Sequence, residues 1–389
     1  MRVTSLLVFI GIVFSIYFSV NTYIYVRGLQ SIALLPGFRR GYILAFWIVV
    51  SSFIIGEILE HTHPSVISEW IYRVGAFWLA FMLYLFLIIL FLDIIRLFDH
   101  FFHFLPSVSQ RQKSLTGLIV LASVSLIVLA GHWNALTTKI REINLEIPKR
   151  VKGEQKMKVL MVSDIHLGAL IGDNLEERLV TIVKKRNPDL VLLCGDLVDG
   201  DIGEVLRKNL GRRIQEIKAP LGVYAIPGNH EYIGGIRRTL PYLKSININV
   251  LRDQVVVLPN GVQLVGRDDR DGHRMGDGGR KSLNLLMEGV DRSFPVIVMN
   301  HQPFNLEEAE KEGVDLQLSG HTHHGQLWPL NYMTEAIFEK SWGFLKKGKT
   351  NFYVSSGFGT WGPPVRIGNT PEVVVFNLTF KNGNINPVK

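Results

Sequence analysis

The segment Val159–His166 reads VLMVSDIH, in which an apolar run typical of a buried strand leads directly into Ser163, Asp164, Ile165 and His166. Four later apolar runs end in a similar way, at CGD (194–196), GNHE (228–231), NHQP (300–303) and GHTHHGQ (320–326). Because ligands bind outside the carboxyl ends of strands in α/β sheets, we expect these five turns to converge on one site.

The residue types in these turns point to metal binding. Oxygen and nitrogen donors without thiolates favour Mn, Fe or Zn over a cysteine-held structural zinc. Seven candidate ligands, more than one ion needs, are Asp164, His166, Asp196, Asn229, His301, His321 and His323. With one bridging carboxylate they would hold two ions about 3.5–4 Å apart, a pair that activates a shared water for in-line displacement at phosphorus. Each turn alone could be purely structural, but the recurrence of all five at strand ends favours the metal site.

The sequence around these turns predicts an α/β domain over residues 157–389. Short β-rich runs alternate there with amphipathic helical stretches such as Leu175–Lys185 and Leu306–Glu312. Residues 139–156 are rich in charge and contain Pro148, so we interpret them as a linker.

The first 138 residues have a different character and predict a transmembrane region. Four uncharged apolar runs occur there: Val3–Val26, Gly41–Gly56, Val74–Leu92 and Ser114–Thr138. About 20 apolar residues cross the hydrocarbon core as a helix, and three of the four runs reach that length. The first run is long and no small-residue cleavage site follows it, so we expect a retained helix and not a signal peptide.

Composition agrees with a membrane protein that carries a water-facing domain. Hydrophobic residues make up 47% of the chain and charged residues only 20%, which excludes a disordered protein. Residues 1–150 hold 12 Lys and Arg against 7 Asp and Glu, so the basic excess accompanies the most apolar part and favours a membrane surface over nucleic acid as the partner. The single cysteine, Cys194, excludes an intrachain disulfide.

The distribution of arginines predicts how the helices are oriented in the cell membrane. The first and third loops carry most of the basic residues between the apolar runs, among them Arg39, Arg40 and Arg96. The positive-inside rule places these loops in the cytoplasm and the C-terminal domain outside. The basic residues that follow the last run, such as Lys139 and Arg141, favour the opposite orientation.

The motifs SDIHLG, CGDLVDG, GNHE, NHQP and GHTHHGQ, between about Met157 and Leu378, resemble the calcineurin-like metallophosphoesterase family. The order of helices followed by this domain is similar to the membrane-anchored bacterial branch of that family. The resemblance implies a four-layer αββα sandwich with a dinuclear metal site on its loops.

The resemblance also implies a role for each matching residue. Asp164, His166, Asp196 and His323 would bind the first metal, and Asp196, Asn229, His301 and His321 the second, with Asp196 bridging. His230 would stabilise the transition state or protonate the leaving oxygen. Glu231 would orient His230 without itself binding a metal.

Three functions are compatible with these features. The first is a membrane-anchored hydrolase that cleaves a phosphodiester or pyrophosphate bond of a lipid or envelope precursor through a metal-bridging hydroxide. The second is a tethered phosphodiesterase for small soluble substrates, and the third is a non-catalytic, metal-stabilised interaction module in the membrane. The complete ligand set argues against the third.

Two further features have alternative interpretations. Arg366 could bind substrate phosphate or form a structural ion pair. The aromatic and lysine residues of segment 326–349 suit either an interfacial segment that meets lipid headgroups or a loop packed on the sandwich.

Overall fold

The computed structural model describes residues 3–33, 36–170, 172–200, 202–274 and 278–381. The chain divides into two compact units. One comprises Met1–Trp133 with Gly362–Val365, and the other comprises Asn134–Trp361 with Arg366–Lys389.

The first unit is built from four long helices. They are α1 (Val3–Ser31), α2 (Arg39–Thr62), α3 (Val66–Phe102) and α4 (Gln110–Ala135). Each is long and apolar enough to cross a membrane, which agrees with the four predicted spans. The second apolar run looked short in the sequence, but α2 has 24 residues and a length of about 36 Å, because it extends into polar flanks at both ends.

Helices α2 and α3 approach each other closely where glycines face the partner helix. A Cβ atom at Gly56 would lie 2.5 Å from the Cα of Tyr72, and one at Gly75 would collide with the backbone of Phe53. Small residues of this kind allow helix backbones to pack tightly in lipid, where no hydrophobic force drives association.

The second unit begins with a strand that the sequence did not predict. Residues 139–156 were expected to be a linker, but Lys139–Ile147 form strand β1, which pairs in parallel with the last strand, β12 (Glu372–Phe380). Charged residues alternate with apolar ones in β1, and the apolar residues Ile143, Leu145 and Ile147 pack against the core. The high charge made this alternation resemble a linker in the sequence. An edge strand tolerates this composition because one side of it has no partner strand.

Two mixed sheets form the centre of this unit. Among the described residues, the first sheet has the strand order β1-β12-β2-β3-β4-β5, and the second has the order β10-β11-β9-β8-β7-β6. The remaining strands of the first sheet are β2 (Lys156–Val162), β3 (Leu190–Cys194), β4 (Val223–Ile226) and β5 (Asn249–Val250). Those of the second are β6 (Gln254–Val257), β7 (Gln263–Gly266), β8 (Val296–Met299), β9 (Leu316–Ser319), β10 (Gly343–Lys347) and β11 (Thr350–Val354).

Helices connect many of these strands. They are α5 (Asp173–Arg186), α6 (Ile202–Lys208), α7 (Asn229–Ile233), α8 (Ile236–Ser245), α9 (Asp271–Arg274), α10 (Leu283–Met287), α11 (Leu306–Lys311) and α12 (Asn331–Ile337).

The buried side chains arrange these elements in four layers. Met161 and Leu192 of the first sheet share one core with Ile297 and Leu318 of the second, so the sheets pack face to face. The outer face of the first sheet packs against residues of α5, α6 and α8, and that of the second packs against α10 and α11. The αββα sandwich expected from the motifs is therefore confirmed.

Candidate metal centre

The five predicted turns come together at the carboxyl ends of the central strands. Strands β2, β3 and β4 run parallel in the first sheet, and β8 and β9 run parallel in the second. Backbone hydrogen bonds also join the turns directly, since the N–H groups of Asp164 and His166 donate to the carbonyl oxygens of Gly195 and Asp196, each at 3.0 Å.

Most candidate ligands have an unusual backbone conformation. Five of the seven lie in the left-handed region with φ between 45° and 73°: Asp164, His166, Asp196, His321 and His323. This region is unfavourable for residues other than glycine, and such strain concentrates at functional sites, where the surrounding structure enforces it.

Three of these side chains form a first group. The Nε2 atoms of His166 and His323 are 3.0 Å apart, and His323 Nε2 lies 3.5 Å from Asp164 Oδ1. All three residues are buried, and they offer ligand atoms within 4.8 Å of one another.

The remaining four ligands form a second group beside the first. His301 Nε2 lies 3.0 Å from Asp196 Oδ2 and 3.2 Å from Asn229 Oδ1, and His321 Nδ1 lies 2.8 Å from the same Asn229 oxygen. Asp196 Oδ2 is also 3.9 Å from His166 Nε2, so this carboxylate lies between the two groups. The structure thus brings all seven predicted ligands together.

The donors fit metal ions. Within the described part of the chain, no hydrogen-bond donor reaches the buried Oδ2 of Asp164, an arrangement that is costly unless a cation binds there. The site is also lined by glycines where a side chain would intrude, because a Cβ at Gly228 would collide with Asp196 Oδ1 and one at Gly320 with Asp164 Oδ2.

Burial sets the charge of two of the histidine ligands. Burial, reinforced by the charge of His301, lowers the pKa of His321 to about 3. Burial and the neighbouring His166 hold the pKa of His323 well below its usual value. Neutral imidazole is the form that binds metals, so both histidines are in the ligand state at neutral pH.

Comparison with known proteins identifies the family. The model of the calcineurin-like phosphoesterase family matches residues 157–325. An uncharacterized metallophosphoesterase of Campylobacter jejuni is 31% identical over 387 residues, which cover 96% of this chain and 99% of that protein. This chain belongs to the calcineurin-like metallophosphoesterase family. It is a metal-dependent phosphoric ester hydrolase.

Two other relatives differ in the extent of the match. An uncharacterized metallophosphoesterase of Aquifex aeolicus is 35% identical over 260 residues, covering 65% of this chain and 98% of that protein. The transmembrane protein with metallophosphoesterase domain of Danio rerio is 27% identical over 281 residues, covering 69% of this chain and 63% of that protein. The four apolar helices, together with this relative, indicate a membrane protein.

His230 stands beside the metallophosphoesterase ligands with a carboxylate partner that sequence reasoning missed. Its Nδ1 lies 2.9 Å from Asp199 Oδ1, and the same oxygen lies 3.4 Å from His166 Nδ1. Burial alone would lower the pKa of His230, but Asp196 and Asp199 outweigh it and raise that pKa to about 9. The only signal in the sequence was a second carboxylate three residues after Asp196 in GDLVDG.

Glu231 does not have the contact that we expected of it. Its buried carboxylate accepts hydrogen bonds from four backbone N–H groups: those of Asp196, Leu197, Val198 and Gly228. The orienting contact to His230 comes from Asp199 instead. Glu231 therefore holds the turn that carries Asp196 against the turn that carries Asn229.

The structure argues against the expectation that Arg366 binds substrate phosphate, because the side chain of Arg366 is fully buried in the protein. The guanidinium donates to the carbonyl oxygens of Ser356 (2.6 Å) and Gly359 (2.5 Å) and to Asn369 Oδ1 (2.9 Å). Its Nη2 lies 3.2 Å from His323 Nδ1. This position braces the turn around His323 and leaves no surface for a substrate phosphate.

The segment after β7 supports His301 from both sides. Asn300 Oδ1 accepts a hydrogen bond from Arg280 (2.9 Å), and the amide of Gln302 donates to Asp269 Oδ1 (2.8 Å). Burial raises the pKa of Asp269 to about 6. Nothing local in the sequence reveals that Asp269 contacts the turn after β8.

Proposed function

We propose that this protein is a dinuclear phosphohydrolase that cleaves a phosphodiester or pyrophosphate bond of a membrane-borne lipid or envelope precursor. The observation that supports two metals best is the position of Asp196. Its Oδ2 is 3.0 Å from a nitrogen of the second ligand group and 3.9 Å from a nitrogen of the first, as a bridging carboxylate requires.

In this proposal the two ligand groups hold two divalent ions. Asp164, His166 and His323 serve one ion, Asn229, His301 and His321 serve the other, and Asp196 is shared. The donors are carboxylate, amide and imidazole, which suit Mn, Fe or Zn. When bound, such a pair supplies an activated hydroxide and neutralises charge on the phosphoryl oxygens.

The chain's own residues provide the proton and its alignment. His230 is protonated at neutral pH when its pKa is near 9, so it can donate a proton to the leaving oxygen or stabilise charge on the phosphoryl group. Asp199 pairs with Nδ1 of His230, so Nε2 is the nitrogen of His230 that remains for the substrate. Glu231 fixes the backbone between the bridging Asp196 and the turn that bears His230.

The membrane region supports a lipid-linked substrate. Only residues 136–138 separate α4 from β1, and three residues span at most about 10 Å. A domain connected to membrane helices by so few residues meets membrane-borne phosphate esters at high local concentration.

We also propose that the catalytic domain lies outside the cytoplasm. The basic residues that argued against this orientation belong to the folded domain, since Arg141 pairs with Glu372 and Lys149 with Asp315. The positive-inside rule applies to short loops and much less to translocated domains, so the arginines of the first and third loops support this orientation. Labelling of Ser107→Cys and Glu154→Cys in intact cells tests this: only the second should react with an impermeant reagent, and the reverse pattern refutes the orientation.

Hydrolysis by the full-length protein in detergent micelles tests the reaction class. We expect cleavage of bis(p-nitrophenyl) phosphate with Mn²⁺, loss of cleavage with a chelator, and a loss of at least about 100-fold in Asp196→Asn, because the shared ligand is removed. Asp291→Asn, an exposed aspartate, is the matched control. Activity that survives chelation would refute the metal mechanism. A faster rate on a freely soluble diester than on a liposome-embedded phosphodiester with the same leaving group would favour a soluble substrate.

A further inference from the structure

The segment that follows the metal-binding histidines presents apolar side chains to the outside. Helix α12 has no buried residue. Its Tyr332, Met333 and Ile337 are 61%, 60% and 59% exposed, and Met333 and Ile337 lie one turn apart on the same side. Helices of globular domains normally turn such a stripe toward the core, so its exposure needs an explanation.

Other exposed residues of segment 326–349 are also apolar or positively charged. Trp328 before the helix is 49% exposed, and Phe344 of the edge strand β10 is 40% exposed. Lys346 is exposed and lies two residues from Phe344, on the same face of that strand. We call Trp328, Tyr332, Met333, Ile337, Phe344 and Lys346 the apolar face.

The segment that contains the apolar face is positively charged overall. Segment 326–349 contains four lysines and two glutamates. Glu339 pairs with Lys347 at 2.9 Å, and Glu335 lies 3.8 Å from His324, so both carboxylates are engaged by neighbouring cationic or titratable groups. Exposed rings and aliphatic side chains bordered by lysines are typical of surfaces that lie in the headgroup region of a bilayer.

The apolar face is also close to the point where the catalytic unit begins. The ring of Trp342 packs against the guanidinium of Arg141, the third residue of β1, at 4.6 Å. The backbone N–H of Trp328 donates a hydrogen bond to the carbonyl oxygen of Ile367. Two residues further along, the carbonyl oxygen of Asn369 accepts a hydrogen bond from the side chain of Asn134 at 2.7 Å. Asn134 is the first residue of this unit.

From these observations we infer that the apolar face docks on the lipid bilayer in which the chain's own helices are anchored, with Lys346 against anionic headgroups. The candidate metal centre lies close to helix α12 of the apolar face. Phe338, the residue after α12, has its ring centroid 5.9 Å from that of the candidate ligand His321. Docking in this way would put the metal centre next to the headgroup layer.

Spin labels on the full-length protein in liposomes test the inference. Met333→Cys places a label on the apolar face, and Val257→Cys is the matched control, since Val257 is 63% exposed on β6, at the opposite edge of the same sheet. The wild-type chain serves as a labelling blank because Cys194 is buried. The liposomes contain phosphatidylcholine with phosphatidylglycerol, and the readout is the ratio of collisions with oxygen to collisions with a water-soluble nickel chelate.

We expect a several-fold higher oxygen-to-nickel ratio at position 333 than at position 257, because oxygen concentrates in lipid and the chelate is excluded from it. Equal ratios at the two positions would overturn the inference. So would a label at 333 that is shielded from both reagents, since that pattern means a protein contact. The measurement needs no turnover, so its failure would leave the hydrolase proposal unaffected.

Discussion

The imidazole of His230 and the carboxylate of Asp199 form an ion pair across the rim of the metal centre, with 2.9 Å between Nδ1 and Oδ1. This pair distinguishes His230 from the candidate metal ligands. Five of the seven candidate ligands are buried, and two of the candidate histidines are held neutral, whereas His230 is held in its protonated form.

Asp199→Asn should shift the pH dependence of hydrolysis. The carboxylate raises the pKa of His230, so its removal lowers that pKa, and the protonated form is lost at a lower pH. We expect the alkaline limb of the kcat/KM profile to move to lower pH, measured with the same diester at saturating metal. The exposed Asp291→Asn should leave the limb in place, and an unshifted limb in Asp199→Asn would show that this pair does not control the proton.

Glu231→Gln should weaken metal binding although Glu231 is not a ligand. The carboxylate accepts four backbone N–H bonds, and an amide group turns a donor toward two of them. Each unsatisfied buried donor costs about 1–3 kcal/mol. We expect metal affinity to fall about 10–100-fold, measured by titration calorimetry. Glu288→Gln, at an exposed position, is the control, and unchanged affinity in Glu231→Gln would contradict the bracing role.

Gly320→Ala should displace a ligand without unfolding the domain. The new methyl group would collide with Asp164 Oδ2, whereas a methyl group at Gly289 meets nothing within 4 Å. We therefore expect Gly320→Ala to lose bound metal, measured by elemental analysis of the purified protein, while Gly289→Ala retains it. A Gly320→Ala protein with a full metal complement would mean that the turn can shift to make room.

Lys149→Met should destabilise the protein in a pH-dependent way. Burial raises the pKa of Asp315, and the ammonium of Lys149 at 2.7 Å opposes that rise. Without the lysine the folded-state pKa of Asp315 rises further above its unfolded value, so the loss of stability is largest at high pH and shrinks on acidification. Thermal unfolding at pH 8 and pH 5 checks this, with Lys184→Met, from an exposed pair, as the control. An equal loss at both pH values would contradict it.

A soluble catalytic fragment should fold only if it includes β1. The strand pairs with β12 along all nine of its residues, from Lys139 to Ile147. A fragment that starts at Lys156 exposes the edge of β12, which is a template for aggregation. We expect it to aggregate in size-exclusion chromatography, whereas a fragment that starts at Asn134 stays monodisperse. Two monodisperse fragments would show that β1 is dispensable.

The sequence predicted which side chains come together at the candidate metal centre better than it predicted their surroundings, and the reason is physical. Ligands such as Asp164 and His321 follow short buried strands, and this local pattern survives in any context. Asp199 acts through the side chains of His230 and His166, and Glu231 and Arg366 act mainly through backbone groups of other turns. No local pattern encodes these contacts. Strand β1 was missed because its charged residues resemble a linker until the partner strand, more than 200 residues later, shows which side is covered.

The sheet order has a consequence for biosynthesis. Strands β1 and β2 are consecutive in the sequence, yet β12, the last described strand, lies between them. During synthesis, the position between β1 and β2 in the first sheet stays empty until residues 372–380, which form β12, leave the ribosome. The hydrophobic helices can therefore enter the bilayer long before the enzyme can close its sheet, and nascent chains would depend on chaperones during that interval.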